Sequence, residues 1–211
     1  MMPAVASLYQ AVELRQQIRP LILGERCNAN GSKRFRELLL ADDYDGCLRV
    51  ALEQERAGAQ VIDLCTAYAG RDEERDLLTL VPLFARNLRI PLMIDSTTPA
   101  CIEKCLELYP GRAIVNSINL EDGGRNLRRI CAAVKRHGAA VVALTINEKG
   151  MAMTAADKVE TARRIADLAI GEFGLRPQDL LIDCLTFTVG AGDETLRDAA
   201  VQTLTAIRRL R

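Results

Sequence analysis

The sequence predicts an α/β protein of the (β/α)8 TIM-barrel type, and three observations carry that prediction. Strand-like apolar runs alternate with amphipathic helical stretches without interruption, the order that gives a sheet with helices laid over it. The runs are apolar throughout rather than alternating, as in parallel strands covered on both faces. Nearly every run ends on a polar side chain: Ile22-Leu23-Gly24-Glu25, Val61-Ile62-Asp63, Leu92-Met93-Ile94-Asp95, Ile114-Val115-Asn116, Val142-Ala143-Leu144-Thr145 and Leu181-Ile182-Asp183. An open sheet concentrates its site at one switch point, whereas a barrel draws it from the carboxyl ends of many strands.

Taken in order, residues 7–19 are expected to form a short amphipathic helix using Leu8, Val12 and Leu14, within a lead-in of residues 1–20. A first strand at 21–24 precedes a polar segment, 25–33, and a short helix at 34–40. A full helix at 45–57 carries Cys47, Leu48, Ala51 and Leu52 on one face and stops at Gly58. The second strand, 61–64, leads to a helix striped with Leu77, Leu80, Val81 and Phe84. Pro82 fits best in a first turn capped by Thr79, where a missing N–H costs nothing. The third strand ends at Asp95, with Thr98 as N-cap and Pro99 opening a helix lined by Ile102, Cys105, Leu106 and Tyr109. A fourth strand, 113–116, is followed by a helix with Leu127, Ile130, Cys131 and Val134, stopped by Gly138. The fifth strand spans 140–145. Thr154 and Asp157 have capping-box spacing before a helix using Ala162, Ile165, Ala166, Ala169 and Phe173. The sixth strand is 180–183, and the last helix uses Leu196, Ala199, Ala200, Leu204 and Ile207.

These make six strand–helix units, whereas a complete barrel has eight and typically about 250 residues. The expectation is therefore a barrel domain, 21–211, that stops after its sixth unit. Its first and sixth strands would then offer open edges through which two copies could pair as a homodimer.

Composition narrows the function. The 211 residues are 49% hydrophobic, which supports a sizeable core, and 28 basic side chains balance 28 acidic ones. Zero net charge gives no electrostatic case for nucleic acid or an acidic membrane surface. The N-terminus lacks a secretory pattern, and no apolar run approaches the roughly 18 residues of a membrane span. Seven cysteines without a CxxC fit free thiols in a reducing, cytoplasmic setting.

Asp95, Asn116 and Asp183 are the sharpest candidates for chemistry. A carboxylate accepts two parallel N–H bonds from a flat N–C–N edge, and a neighbouring amide both donates and accepts. Such a trio suits a pterin or a guanine; helix capping would use the same residues equally well. Glu25 and Asp63 end the first two strands, and Asp63 is as readily a strand-interior residue, since Leu64 and Cys65 follow it. Asn28 lies in a loop where turn chemistry alone would explain it. Gly31-Ser32-Lys33 lacks the upstream glycine of a phosphate loop, and Gly190-Ala191-Gly192 lacks the third glycine of a dinucleotide fingerprint. Cys101 and Cys105 read as core, since two thiolates alone make a poor zinc site. His137, before Gly138, reads as a helix-end residue. No metal site and no catalytic residue is singled out.

The motifs together are specific. Gly24-Glu25-Arg26-Cys27-Asn28-Ala29-Asn30-Gly31-Ser32-Lys33 resembles the opening motif of the methyltetrahydrofolate-binding (pterin-binding) domain of cobalamin-dependent methionine synthase. Ile94-Asp95-Ser96-Thr97, Val115-Asn116-Ser117-Ile118-Asn119 and Ile182-Asp183-Cys184-Leu185-Thr186-Phe187 are similar to its later strand-end motifs. The resemblance implies a methyltransferase domain that binds 5-methyltetrahydrofolate and passes its N5 methyl group to cob(I)alamin carried by a partner domain. It implies that Glu25, Asp95, Asn116 and Asp183 hold the pterin, with Asp63 and Asn28 as further members. The partners implied are a corrinoid-binding domain and the remaining methionine synthase modules. The chain departs from the family at Ala67 and Thr188, and the family's seventh-strand Ser-Asn-Val-Ser motif does not occur. Dihydropteroate synthase, which shares the barrel and the Asp/Asn logic, is the alternative enzyme. A non-catalytic pterin-binding fragment completed by another chain is the alternative of a different class.

Overall fold

Residues 4–13 form a hairpin, not the helix expected from 7–19. Strand β1 (Ala4–Ala6) pairs antiparallel with β2 (Ala11–Glu13), with Val5 opposite Val12. Each valine is buried between two more exposed neighbours, the period of two of a strand rather than 3.6, and Leu8 and Tyr9 are exposed. The Ser7 hydroxyl turns the chain by accepting the N–H groups of Tyr9 and Gln10 at 3.0 and 3.2 Å. This is the local competition with helix that serine is suited to. The structure, a computed structural model, describes residues 3–188, 190 and 192–211, and the chain divides into two units: Met1–Asn116 with Arg136–Ala140, and Ser117–Lys135 with Val141–Arg211.

In the first unit, β3 (Leu23–Asn28), β4 (Val61–Cys65), β5 (Leu92–Asp95) and β6 (Ile114–Ile118) lie side by side in that order, all parallel. The connections are α1 (Lys33–Leu40), α2 (Tyr44–Arg56), α3 (Glu73–Asn87) and α4 (Pro99–Leu108). β3 starts later and runs further than expected, so Asn28 belongs to the strand and not to a loop, and Glu25 lies within the strand rather than at its end. The hairpin meets the other end of this sheet. Ala6 pairs with Arg112 just ahead of β6, and the Ser7 hydroxyl donates to the carbonyl of Arg89 ahead of β5. Gly111 is required there, because a Cβ would lie 2.1 Å from the Ala6 carbonyl oxygen.

Pro82 sits inside α3, and the helix starts six residues before Thr79, which is not its cap. Asp72 caps it by accepting the Arg75 N–H, and the Thr79 hydroxyl bonds back to the Arg75 carbonyl at 2.8 Å. A proline in a helix interior costs about 3 kcal/mol. Leu77, Leu80, Val81 and Phe84 are fully buried by the same helix, each worth roughly 1.5–3 kcal/mol. Packing therefore outweighs the break.

The second unit contains a parallel pair, β7 (Ala140–Leu144) and β10 (Leu180–Asp183), in register Leu180↔Val141 to Asp183↔Leu144. Between them, β8 (Ile146–Asn147) and β9 (Gly150–Met151) make a small hairpin. The helices are α5 (Arg125–His137), whose last two residues count with the first unit, α6 (Ala155–Ala166) and α7 (Ala199–Leu210). Thr154 caps α6 as its spacing predicts, accepting the Asp157 N–H at 3.1 Å, and a π-helical turn, Asp167–Glu172, extends it. The face of α7 differs from the expected stripe. Ala199, Thr203 and Ala206 are buried, while Leu204 and Ile207 are exposed. Leu196 lies outside the helix in a separate 3-10 turn. The Thr203 hydroxyl donates to the Leu185 carbonyl at 2.8 Å, and that bond requires Thr203 to face inward.

A buried charge cluster ties α3 to the loop ahead of it and to α2. Asp76 is fully buried and accepts from Arg71 Nε and Nη2 at 2.9 and 2.8 Å and from the Tyr44 hydroxyl at 2.8 Å. Arg71 also reaches Asp42 at 2.8 Å, and these two carboxylates push its pKa up. Removing one partner strands the other as a buried charge. Asp76→Ala is expected to cost about 3–5 kcal/mol in urea denaturation, whereas Lys33→Ala, which breaks an exposed pair with Glu37, should change the midpoint little.

Candidate functional site

The strand register builds the site. In parallel strands, paired residues point the same way and every second residue returns to the same face. Asp63 pairs with Met93, and Asp95, two residues on, pairs with Asn116. Cys65 is two residues beyond Asp63 and pairs with Asn28. Asn28, Asp63, Cys65, Asp95 and Asn116 therefore share one face at the carboxyl end of the first unit's strands.

Glu25 reaches this cluster through an irregularity. The β3–β4 register shifts between Gly24 and Cys27, which frees the Arg26 N–H from the ladder. Gln54 of α2 accepts it at 2.7 Å. Gly24 lies under the same amide, where a Cβ would be 2.8 Å from Gln54 Oε1.

Like charges crowd this face. Asp63 is 1% exposed, and its pKa is pushed up to about 7, first by burial and then by the charges of Asp95 and Glu25. Hydrogen bonds from Asn116 and Asn28 pull the other way; Asn116 Nδ2 lies 3.4 Å from Asp63 Oδ1. Burial also raises Asp95, with Glu25 and Glu73 adding to it, while the Cys65 thiol opposes the rise by donating to the carboxylate. Cys65 itself is raised to about 12, so it stays a thiol. Asn28 is doubly used, because its Oδ1 also accepts the N–H groups of Asn30 and Gly31 at 2.9 and 3.0 Å.

The structure thus brings Glu25, Asn28, Asp63, Asp95 and Asn116 together within one unit. Asp183 belongs to the second unit, at the end of β10, where its exposed carboxylate accepts the Leu185 N–H at 2.7 Å. Two neighbours of the cluster escaped the sequence reading. Glu73, with a buried Oε1, reads in sequence as the acidic first residue after the Asp72 cap. Cys65 reads as the end of an apolar run. Ser32 of the glycine-serine-lysine stretch caps α1, and Ala191 of the later glycine pair lies outside the described residues. Cys101 and Cys105 are buried on α4. His137 ends α5, its ligand atom within 4.8 Å of those of Glu103 and Glu107. Among the described residues no helix is long and apolar enough to cross a membrane.

The family model described as pterin-binding enzyme matches residues 24–211. The chain is 45% identical to a methionine synthase of Mycobacterium tuberculosis and 43% identical to one of Mycobacterium leprae, each over 99% of its own length. It spans 18% of the length of those two relatives. Among solved structures, a dihydropteroate synthase from Xanthomonas albilineans in complex with 7,8-dihydropteroate superposes with a TM-score of 0.69 at 18% identity. That match covers 99% of this chain and 73% of the other. The dihydropteroate synthase of Yersinia pestis gives 0.65 at 16%, covering 98% and 71%. The barrel-type α/β fold expected from the repeating units is the fold these structures share.

The raised Asp63 pKa has a stability consequence. A carboxyl whose folded pKa lies above the unfolded value, roughly 3.9, holds its proton in the folded state while the unfolded state loses it. Folding stability from this group is therefore full below about pH 4 and is lost as pH rises towards about 7. Asp63→Asn should stabilise the chain at pH 8 by on the order of 2–4 kcal/mol, with the gain vanishing near pH 4 in paired denaturation curves.

Proposed function

The chain belongs to the pterin-binding enzyme family, and on that footing we propose that it binds 5-methyltetrahydrofolate and presents the N5 methyl group to cob(I)alamin on another domain. It would act as the folate-side methyltransferase module of methionine synthesis. The observation that carries the reading is the shared face of Asp63, Asp95 and Asn116, with Glu25 beside it. That face is rich in acceptors and crowded with negative charge. A flat ring with an N–H-bearing amidine edge supplies the missing donors and relieves the crowding. Asp95 and Asn116 would take that edge, and Glu25, Asp63 and Asn28 would complete the rim; Asp183 is proposed as a pterin-binding residue on the resemblance of its strand-end motif.

The chemistry asks for more than binding. The methyl group leaves from a neutral tertiary amine, which departs poorly unless N5 gains a proton or a strong hydrogen bond. A carboxyl titrating near neutrality, as Asp63 does, is able to hold a proton close to such an amine at physiological pH. The corrinoid, when bound, supplies the nucleophile that takes the methyl group. The chain's one histidine, His137, lacks the Asp-x-His-x-x-Gly setting of a cobalamin-binding module, with Lys135 and Ala140 where that motif has Asp and Gly. The corrinoid is therefore assigned to a partner module. Identity of 43–45% to methionine synthases, against 18% to a dihydropteroate synthase, supports methyl transfer over pteroate synthesis. Seven free, buried cysteines support a reducing compartment, the cytoplasm.

Calorimetric titration with 5-methyltetrahydrofolate should give saturable binding, and Asp95→Ala should weaken it at least tenfold. Unchanged affinity in the variant would refute the site. Added cob(I)alamin protein should lose its reduced-corrinoid absorption only when the methylated folate and this chain are both present.

A further inference from the structure

Lys158 is a buried charged group that the proposed function leaves unused. It lies near the start of α6 and is fully buried. Burial lowers its pKa, and the nearby Cys184 and Asp183 oppose that shift. Lys158 Nζ donates to the Cys184 carbonyl at 2.6 Å and stands 4.8 Å from the centroid of the Phe187 ring, a cation–π distance. Both partners belong to the segment that leaves β10 immediately after Asp183.

That segment is held in an unusual shape. Leu185 has φ = 58°, in the left-handed region that a residue with a branched side chain avoids. Such a conformation persists only where its surroundings over-determine it, and it tends to occur at ligand-holding sites. Here the restraints can be named. The Asp183 carbonyl accepts from the Thr145 N–H at 3.0 Å and its hydroxyl at 3.1 Å. The Cys184 carbonyl accepts from Lys158, and the Leu185 carbonyl accepts from the Thr203 hydroxyl at 2.8 Å. The Leu185 N–H donates to the Asp183 carboxylate at 2.7 Å. The chain reversal at Leu185 thereby brings its own N–H onto the Asp183 side chain.

Resting on the pterin reading of Asp183, we infer that Lys158 is a positioning residue: its ammonium, clamped between the Cys184 carbonyl and the Phe187 ring, holds the strained turn at Leu185 and so aims the Asp183 carboxylate for its ligand. A buried charge is a costly way to hold two peptide units, and a methionine would fill the same space. What the ammonium adds is direction. Its N–H groups choose one orientation of the Cys184 carbonyl, and the ring closes the opposite side. One oxygen of Asp183 is thereby committed to Leu185, and the other is left for a ligand N–H.

The test has an arm that needs no ligand. Amide hydrogen exchange of the 184–188 segment is compared between the unaltered chain and Lys158→Met. Exchange at Leu185 is expected to rise at least tenfold while the melting temperature stays level or increases. Phe187→Leu, which leaves the amine in place, should give a smaller rise in the same peptide, and Lys158→Arg should recover part of the protection. Unchanged exchange at Leu185 in Lys158→Met would overturn the clamp. In the ligand arm, Lys158→Met should weaken 5-methyltetrahydrofolate about tenfold, and combined with Asp183→Asn it should cost little more than either alone, because the two act through one carboxylate. Additive losses, or unchanged affinity beside faster exchange, would overturn the link to the ligand. Absence of folate binding in the unaltered chain would instead overturn the pterin reading and leave the exchange result to decide the clamp.

Discussion

Crowding of like charge at the carboxyl end of the parallel strands is the constraint on which the first unit depends. Asp63 and Asp95 share a face with Glu25 beside them, and Asp63 is so far from water that it holds its proton to about pH 7. A protein gains no folding stability from this arrangement; it loses some. Buried acids of this kind concentrate where chemistry is done, since a group shifted to neutrality is one that can exchange a proton under working conditions. The surrounding amides and thiol soften the crowding without removing it: Asn116 and Asn28 donate to Asp63, and Cys65 donates to Asp95.

The rest of the first unit keeps those groups where they are. Gln54 reaches from α2 to the Arg26 amide, at the irregularity in β3. The Asp76–Arg71 cluster joins α3 to Tyr44 at the start of α2. At the far end of the strands the β1–β2 hairpin occupies the space, with Tyr109 donating to the Ala6 carbonyl and accepting the Leu92 N–H, both at 3.1 Å. Strength is thus placed in the helices and the hairpin, and tension at the strand ends. The second unit repeats the scheme in miniature, with the tension in the turn at Leu185 and the restraint in Lys158, Thr145 and Thr203.

Much of this was legible from residue order alone. The strand ends at Asp95 and Asp183 and the helix stop at Gly138 are local signals, written in apolar runs and glycine. What escaped was whatever distant residues decide. Residues 7–19 carry apolar residues at helical spacing, yet Ser7 turns the chain and pairing of β2 with β1 wins. Pro82 reads as a helix start until the burial of Phe84 and Leu80 is weighed against it. On α7, Ala199 is buried as its place in the expected stripe predicts, but Leu204 and Ile207 face outward because Thr203 is needed for the Leu185 carbonyl. Within the candidate site, Asp63 looked like an ordinary strand residue, and only the register with β5 and the reach of Asn116 show its setting. Lys158 reads in sequence as a solvated helix lysine, and nothing nearby announces a carbonyl twenty-six residues away.

The central claim is that one acidic face, with Asp63 protonated near neutrality, clasps the donor edge of a reduced pterin. Carbon-13 NMR of carboxyl-labelled aspartate, followed through a titration with 5-methyltetrahydrofolate, addresses it directly. The account predicts an Asp63 resonance that titrates near pH 7 in the free chain and moves together with that of Asp95 as the folate saturates. Resonances of Asp63 and Asp95 that stay fixed through saturation, or an Asp63 that titrates near pH 4 like an exposed carboxylate, would contradict it.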